Sequence, residues 1–356
     1  GRLSTGRISP QAACISQVTA GVRVSAWARL PNMGASKTDD HDSPFLSTFA
    51  QLARSGLDHD EINRRIGAGT LRRVRSGVYA HEPEAAPAGS GPDYVLRERE
   101  FLERTRAAAL AVEPGTVMSH GSALALYGLP LHGIPLGRPT ATRPREGGGT
   151  RRSSALVCFT LPVEGATRLV DGIQMTSPAR TIIDVARTVS LESGVAAADQ
   201  AIRRGMLSRP ELQDEAGLAK GRTGVGRARA LPELTCGLAE SVLESLIRLI
   251  LVFAGLPQPE MQVWLSGRSG KRFRVDFYWR EWRLIGEADG FGKYGNSPQE
   301  IREALSRERQ RQRDLEDAGY VVIRWVWDDL RRPDVIVRRV KDAMRRQEQL
   351  GLGRAA

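Results

Sequence analysis

Glu244, Asp276 and Glu287 are the residues in this chain whose spacing could support chemistry, and that chemistry would be metal-dependent phosphodiester hydrolysis. Over 272–279, Phe273, Val275, Phe277 and Trp279 alternate onto one face of a strand, so Asp276 points the other way, beside Arg274. In the next apolar segment Ile285, Glu287 and Asp289 share a face. Glu244 borders a helical stripe of Leu243, Leu246, Ile247 and Ile250, with Arg248 one turn on. Two acids on adjacent antiparallel strands and a glutamate from the preceding helix are expected to form an oxygen-rich cup. Mg²⁺ suits such a site, because it takes one or two carboxylates and fills its octahedron with water and phosphate oxygens. Asp276, Glu287 and Asp289 are the expected metal ligands. A bound ion would lower the pKa of a water and offset charge on the scissile phosphate. The competing reading is a surface cluster paired with Arg274, Arg248 and Lys293; three acids in order on three elements favour the metal.

The elements needed to hold these acids are readable over 240–347. A helix from Glu240 ends at Gly255-Leu256-Pro257. Three strands, 261–265, 272–279 and 283–288, are joined by links of hairpin length. Ser297-Pro298-Gln299-Glu300 combines an N-cap, a first-turn proline and a capping-box acid, opening a helix that Gly319 stops. Ser306 to Asp314 contains no apolar side chain, and Arg307 with Arg311 and Arg309 with Arg313 lie one turn apart. These arginines could face a phosphate backbone; a solvated charged face is the alternative. A strand at 320–327 and a helix at 333–346 complete the order αβββαβα.

That order, with the motifs ESLIR, RVDFYW, EADGFGKY, RERQR and GYVVIRWVWDDL, resembles the PD-(D/E)XK nuclease superfamily and more closely its DUF559-type, Vsr-like branch. The resemblance implies a restriction-endonuclease-like fold in which Asp276 and Glu287 hold Mg²⁺ and Glu244 orients the metal-bound water. The superfamily pattern has lysine two residues after Glu287, where this chain has Asp289. Lys293 or an arginine such as Arg309 would have to supply the positive charge. Glu244, Asp276, Glu287 and Lys293 are accordingly the candidate catalytic set.

Residues 43–82 are expected to form a winged helix-turn-helix. Ser43-Pro44 would start a first helix carrying Phe45, Leu46, Phe49, Leu52 and Ala53, and Ser55-Gly56 would end it. Asp58 with Glu61 caps a second helix that offers Asn63, Arg64 and Arg65 to solvent. A basic hairpin with Arg72, Arg73 and Arg75 follows. A recognition helix in the major groove with wing arginines on phosphates fits this set; use as a protein-contact module is the alternative.

A Pro/Ala/Gly/Ser linker occupies 82–92, and 93–220 reads as a middle α/β domain. Within it Ser119 is a candidate N-cap and His120 a backbone-satisfying side chain rather than a catalytic pair, since no acid follows at a telling distance. Residues 143–155 read as a loop, Arg180 and Asp184 as a surface pair one turn apart, and 221–229 as a linker. The strings GAGTLRRVRSGVYA, SHGSALALYGLP and TSPARTIIDVAR, in this order across 45–215, are similar to AbiEi-type antitoxin proteins. That resemblance implies a DNA-binding, autoregulatory front end and a cognate toxin as partner.

Composition agrees with a nucleic-acid partner. The net charge is +11 with pI about 10.2, carried almost wholly by arginine, and each phosphate contact releases condensed counterions. The longest apolar run is far too short to span a bilayer. Three widely spaced cysteines without a CxxC pattern point to neither a disulfide framework nor a zinc site, which makes a reducing cytoplasm the default. Residues 1–42 are expected to be a disordered leader. The chain thus reads as an α+β multidomain DNA-binding protein with an Mg²⁺-dependent endonuclease-like domain. The alternative is an antitoxin-type transcriptional repressor whose nuclease-fold domain is catalytically inactive.

Overall fold

The computed structural model describes residues 46–81, 93–163, 165–290 and 298–352. The leader at 1–42, the linker at 82–92 and Lys293 lie outside the described residues. Two units are formed: one holds the described residues to Ala197 with Met206–Ala228, the other holds Ala198–Gly205 and the described residues from Arg229.

The first unit opens with β1 (Leu46–Thr48), α1 (Phe49–Arg54), α2 (His59–Gly67), β2 (Leu71–Arg75) and β3 (Val78–His81), in sheet order β1-β3-β2. The helix expected from Pro44 therefore begins later. Residues 46–48 pair with β3, and the cap falls on Thr48, whose Oγ1 accepts from Gln51 N at 3.2 Å while its own N–H donates to Gln51 Oε1 at 2.7 Å. A threonine followed three residues on by glutamine satisfies two end donors at once, which outweighs a proline start. Asp58 caps α2 by accepting from Glu61 N at 2.8 Å. Leu52, Ile62, Leu71 and Tyr79 close a small core between the helices and the hairpin.

There follow α3 (Asp93–Ala109), β4 (Val117–Met118), α4 (His120–Leu126), β5 (Thr140–Arg143), β6 (Gly149–Arg152), β7 (Val157–Thr160), β8 (Thr167–Val170) and β9 (Ile173–Thr176). The helices α5 (Pro178–Thr188), α6 (Leu191–Arg203), α7 (Arg209–Leu218) and α8 (Val225–Leu234) come next. The sheet is mixed, ordered β6-β7-β5-β4-β9-β8, with β4–β9 and β5–β7 parallel. Part of the expected loop at 143–155 is thus the edge strand β6. All four of its residues are exposed, so it carries no apolar alternation by which a sequence could betray it.

Two further expectations change in this region. Asp184 is fully buried, accepting from Arg180 Nε at 2.6 Å and Arg187 Nη2 at 2.7 Å, so the expected surface pair is an interior network. Arg187 Nη1 extends it to the Thr223 carbonyl at 2.7 Å. The expected linker at 221–229 instead packs: a Cβ on Gly224 would sit 2.2 Å from the Arg187 carbonyl oxygen, and α8 starts at Val225. Gly224 serves close approach rather than freedom.

The second unit contains α9 (Val242–Phe253), β10 (Glu260–Ser266), β11 (Arg272–Trp279), β12 (Leu284–Asp289), α10 (Pro298–Asp317), β13 (Val321–Val326) and α11 (Pro333–Gln349). The sheet order is β10-β11-β12-β13, antiparallel except for the parallel β12–β13 pair. Leu265, Val275, Tyr278, Ile285 and Leu315 form one core layer between the sheet and α10. Gly286 is demanded by packing, since a Cβ there would lie 2.5 Å from the Trp325 ring. Asp199 fixes the entry to α9, accepting from Cys236 N at 2.7 Å and Ser245 Oγ at 2.8 Å and pairing with Arg248 at 3.3 Å. No helix of the described residues is long and apolar enough to cross a membrane.

Candidate functional site

Glu244 owes its position to the start of α9. Ser241 caps the helix, accepting from Glu244 N at 3.2 Å, and donates its hydroxyl to Glu244 Oε1 at 2.8 Å; Glu240 N donates to Oε2 at 2.9 Å. The side chain is buried. Burial first, then the charge of Asp276, pushes its carboxyl up to about 7.

The link between Glu244 and Asp276 is Gln262, a residue the sequence reading passed over. Its Nε2 donates to Glu244 Oε2 at 2.7 Å and to Asp276 Oδ1 at 3.2 Å. Gln262 lies inside β10 with φ +56, in the left-handed region, and the flanking pairs Met261↔Phe277 and Val263↔Val275 leave it opposite Asp276. A non-glycine residue held there costs of order 1 kcal/mol and persists only where its surroundings over-determine it. No sequence signal marks it, because glutamine at a strand position is unremarkable until its φ is known. The other oxygen of Asp276, Oδ2, accepts from Ala288 N at 2.8 Å, where the β11–β12 ladder has already opened.

Glu287 is held differently. Ile285, two residues before it, packs with Leu315 of α10, and Glu287 is met from that helix by Arg311, whose Nη2 lies 2.8 Å from Oε1. Arg311 also donates to the Arg274 carbonyl at 2.6 Å and pairs with Glu308 at 3.2 Å. Glu287 is 4% exposed, and burial followed by the Asp276 charge pushes its carboxyl up to about 8, against the opposing pull of Arg311 and Arg324. Asp289 is taken by Arg324 at 3.0 and 3.2 Å, and Arg324 reaches Glu308 as well. Arg248, expected near the acids, serves Asp199 instead.

Glu244 and Asp276 thus share Gln262, while Glu287 and Asp289 are each met by an arginine. Among the described residues no group of three His, Cys, Asp or Glu side chains is arranged to hold a metal ion. For Glu287 and Asp289 to take a metal ion, Arg311 and Arg324 would have to give up their pairs with them. Lys293, whose distance to the acids would matter, lies outside the described residues.

The basic residues of the front end separate into two groups. Asn63, Arg64 and Arg65 are exposed on α2; among the described residues Arg64 and Arg65 pair only with Glu61 of the same helix, at 2.5 and 2.9 Å. On the hairpin, Arg72 donates to both oxygens of Glu103 on α3 at 2.7 and 2.8 Å. It therefore braces the hairpin against α3. Arg73 lies over the Tyr79 ring at 5.6 Å, and Arg75 has Nε and Nη1 buried. On α10, Arg307 and Arg309 are exposed, whereas Arg311 is committed to Glu287.

Ser119 and His120 are buried. Ser119 stands at the N-cap position of α4 without a side-chain cap; its Oγ instead meets His120 Nδ1 at 2.9 Å and accepts from Thr142 at 2.8 Å. His120 stacks on Phe159 at 3.9 Å, and burial pushes its imidazole down to about 4, so it is neutral at physiological pH.

Comparison with known proteins gives two findings. Residues 116–234 match the family model described as the AbiEi antitoxin C-terminal domain. Two Mycobacterium tuberculosis proteins, named "Uncharacterized protein Rv2248" in strain H37Rv and "Uncharacterized protein MT2308" in strain CDC 1551, are each 29% identical over 276 residues, covering 78% of this chain and 93% of the relative. The matched segment runs from just before β4 to the end of α8, across the boundary expected at 220 and through the segment first read as a linker. Residues 116–234 are thus similar to the AbiEi antitoxin C-terminal domain.

Proposed function

We propose that this chain is a DNA-binding regulator of the AbiEi antitoxin type, acting with a cognate toxin. Its 240–347 segment is then a restriction-endonuclease-like domain that binds rather than cuts. The observation that carries the reading is the similarity of 116–234 to the AbiEi antitoxin C-terminal domain. It is supported by the front end, where α2 offers Asn63, Arg64 and Arg65 beside a hairpin, the layout of a winged helix-turn-helix. Quiet chemistry in the last domain is supported by Arg311 on Glu287 and Arg324 on Asp289, internal cations where a nuclease would want an open carboxylate set. The test is a reporter placed under the chain's own upstream DNA. Wild type should repress it and Arg64→Ala/Arg65→Ala should not; equal expression with and without the wild-type protein refutes the reading.

One observation favours a second reading, Mg²⁺-dependent DNA cleavage. Glu244 and Glu287 are buried near Asp276 with carboxyls raised to about 7 and about 8, and Gln262 is strained to bridge two of the three. Perturbed carboxylates and stored strain gather at functional sites. Nicking of supercoiled plasmid with Mg²⁺, abolished by Asp276→Ala, would establish it. Plasmid left intact at every Mg²⁺ concentration leaves the binding reading alone.

A further inference from the structure

The second unit carries a cleft that adjoins the acid cluster only through Arg311. It has a volume of about 450 Å³ and lies between the β10–β11 turn and α10. Its walls include Lys271, Phe273, Arg307, Arg311 and Arg313. We propose that this cleft binds the phosphodiester backbone of DNA, as a second docking site in addition to that of the front end. The proposal rests on the reading of the chain as DNA-binding, and adds a place and a number of contacts.

The walls are fixed in place. Asp314 accepts from Ser269 N at 2.7 Å and from Ser269 Oγ at 2.5 Å, and its own carbonyl accepts from Arg268 N at 2.9 Å. A Cβ on Gly267 would lie 2.5 Å from the Asp314 carboxylate, so any side chain there would push that carboxylate from its place on the turn. One of the two acids lining the cleft, Asp314, is thereby spent on the turn. The cations are not spent in this way. Lys271 and Arg313 are exposed and have no ion-pair partner among the described residues, and Arg307 has only Glu303 at 3.9 Å. Phe273, half-buried, forms part of the floor, with the Arg311 guanidinium 6.0 Å above its ring.

The arrangement fits a repeating phosphate better than a single carboxylate. Arg307 and Arg313 are about 9 Å apart along the helix axis, a run that spans two or three phosphates at about 3.4 Å per nucleotide on one strand. The stretch Ser306–Asp314 presents no apolar side chain to a protein partner, and the whole chain carries +11. Arg311 reaches from the cleft to Glu287, so a bound backbone would lie against the residue that meets Glu287.

The test is fluorescence anisotropy of the full chain with a labelled 20-base-pair duplex of random sequence, titrated at several salt concentrations. Wild type is compared with Lys271→Ala/Arg307→Ala/Arg313→Ala and, separately, with Arg64→Ala/Arg65→Ala; Lys271→Glu is a milder second cleft variant. Three lost phosphate contacts should flatten the slope of log K against log salt by about 2.7, and Lys271→Glu should flatten it by at least about 0.9. A slope unchanged in both cleft variants, while Arg64→Ala/Arg65→Ala flattens it, overturns the cleft proposal alone. Slopes unchanged in every variant overturn the DNA-binding reading as well. Labelled poly-glutamate lost from the cleft variants while duplex binding persists would assign the cleft to an acidic protein and overturn the proposal.

Discussion

Replacing Glu287 by glutamine should make the C-terminal unit more stable at alkaline pH. Burial and Asp276 hold the Glu287 carboxyl at about 8, against an ordinary value of 4.5. The folded chain therefore keeps a proton that the unfolded chain has already released. By linkage, stability falls as pH rises from the unfolded pKa to the folded one, at about 1.4 kcal/mol per pH unit. The interval from 4.5 to about 8 sets a ceiling of about 5 kcal/mol, reached only when the native state relaxes not at all. Glutamine removes the titration while keeping an oxygen for Arg311. The variant's lead over the wild type should widen by at least about 1 kcal/mol between pH 6 and pH 9. Urea unfolding followed by tryptophan fluorescence reads this unit directly, because five of the six tryptophans (Trp264, Trp279, Trp282, Trp325 and Trp327) belong to it. Unfolding curves that stay parallel between pH 6 and pH 9, or a variant less stable at pH 9, would refute the reasoning.

Three further outcomes follow from the packing. Gly286→Ala would drive a methyl group into the Trp325 ring, and overpacking of this kind costs about 1–3 kcal/mol, visible in the same urea transition with an altered emission maximum. Asp184→Asn would strand Arg180 and Arg187, both at most 4% exposed, and removing one partner of such a buried set costs about 3–5 kcal/mol; circular dichroism melts of the full chain should show the first unit unfolding earlier. Arg72→Ala should lower stability through Glu103 while leaving duplex affinity within about twofold, since the pair is structural; a loss comparable to that of Arg64→Ala/Arg65→Ala would return Arg72 to the DNA-contacting set.

How far the sequence carries depends on whether a signal is local. The αβββαβα order was legible because α9, β10, β11 and β12 each announce themselves by apolar period and glycine stops. The short edge strands β6 and β8 were not, since edge residues facing water need no apolar face. The three acids were picked out by strand parity. Val275 and Ile285 share the α10 face, which places Asp276 toward α9 and Glu287 toward α10. Arg311 could be read as a phosphate contact from its helical spacing, but only tertiary structure reveals that Glu287 claims it. Arg72 meets Glu103 only in the folded chain, and the Arg180–Asp184 pair, legible as neighbours one turn apart, proves to be buried rather than on the surface. Gln262 was invisible because its distinction is a backbone angle.

The most direct test of the regulator reading is equilibrium binding of the purified full chain to a labelled duplex of its own upstream DNA, set against a scrambled duplex of equal length. The account predicts tighter binding to the upstream DNA, lost to the scrambled level in Arg64→Ala/Arg65→Ala and retained in Asp276→Ala and Glu287→Gln. Equal affinity for the two duplexes, or a preference that survives loss of Arg64 and Arg65, would contradict it.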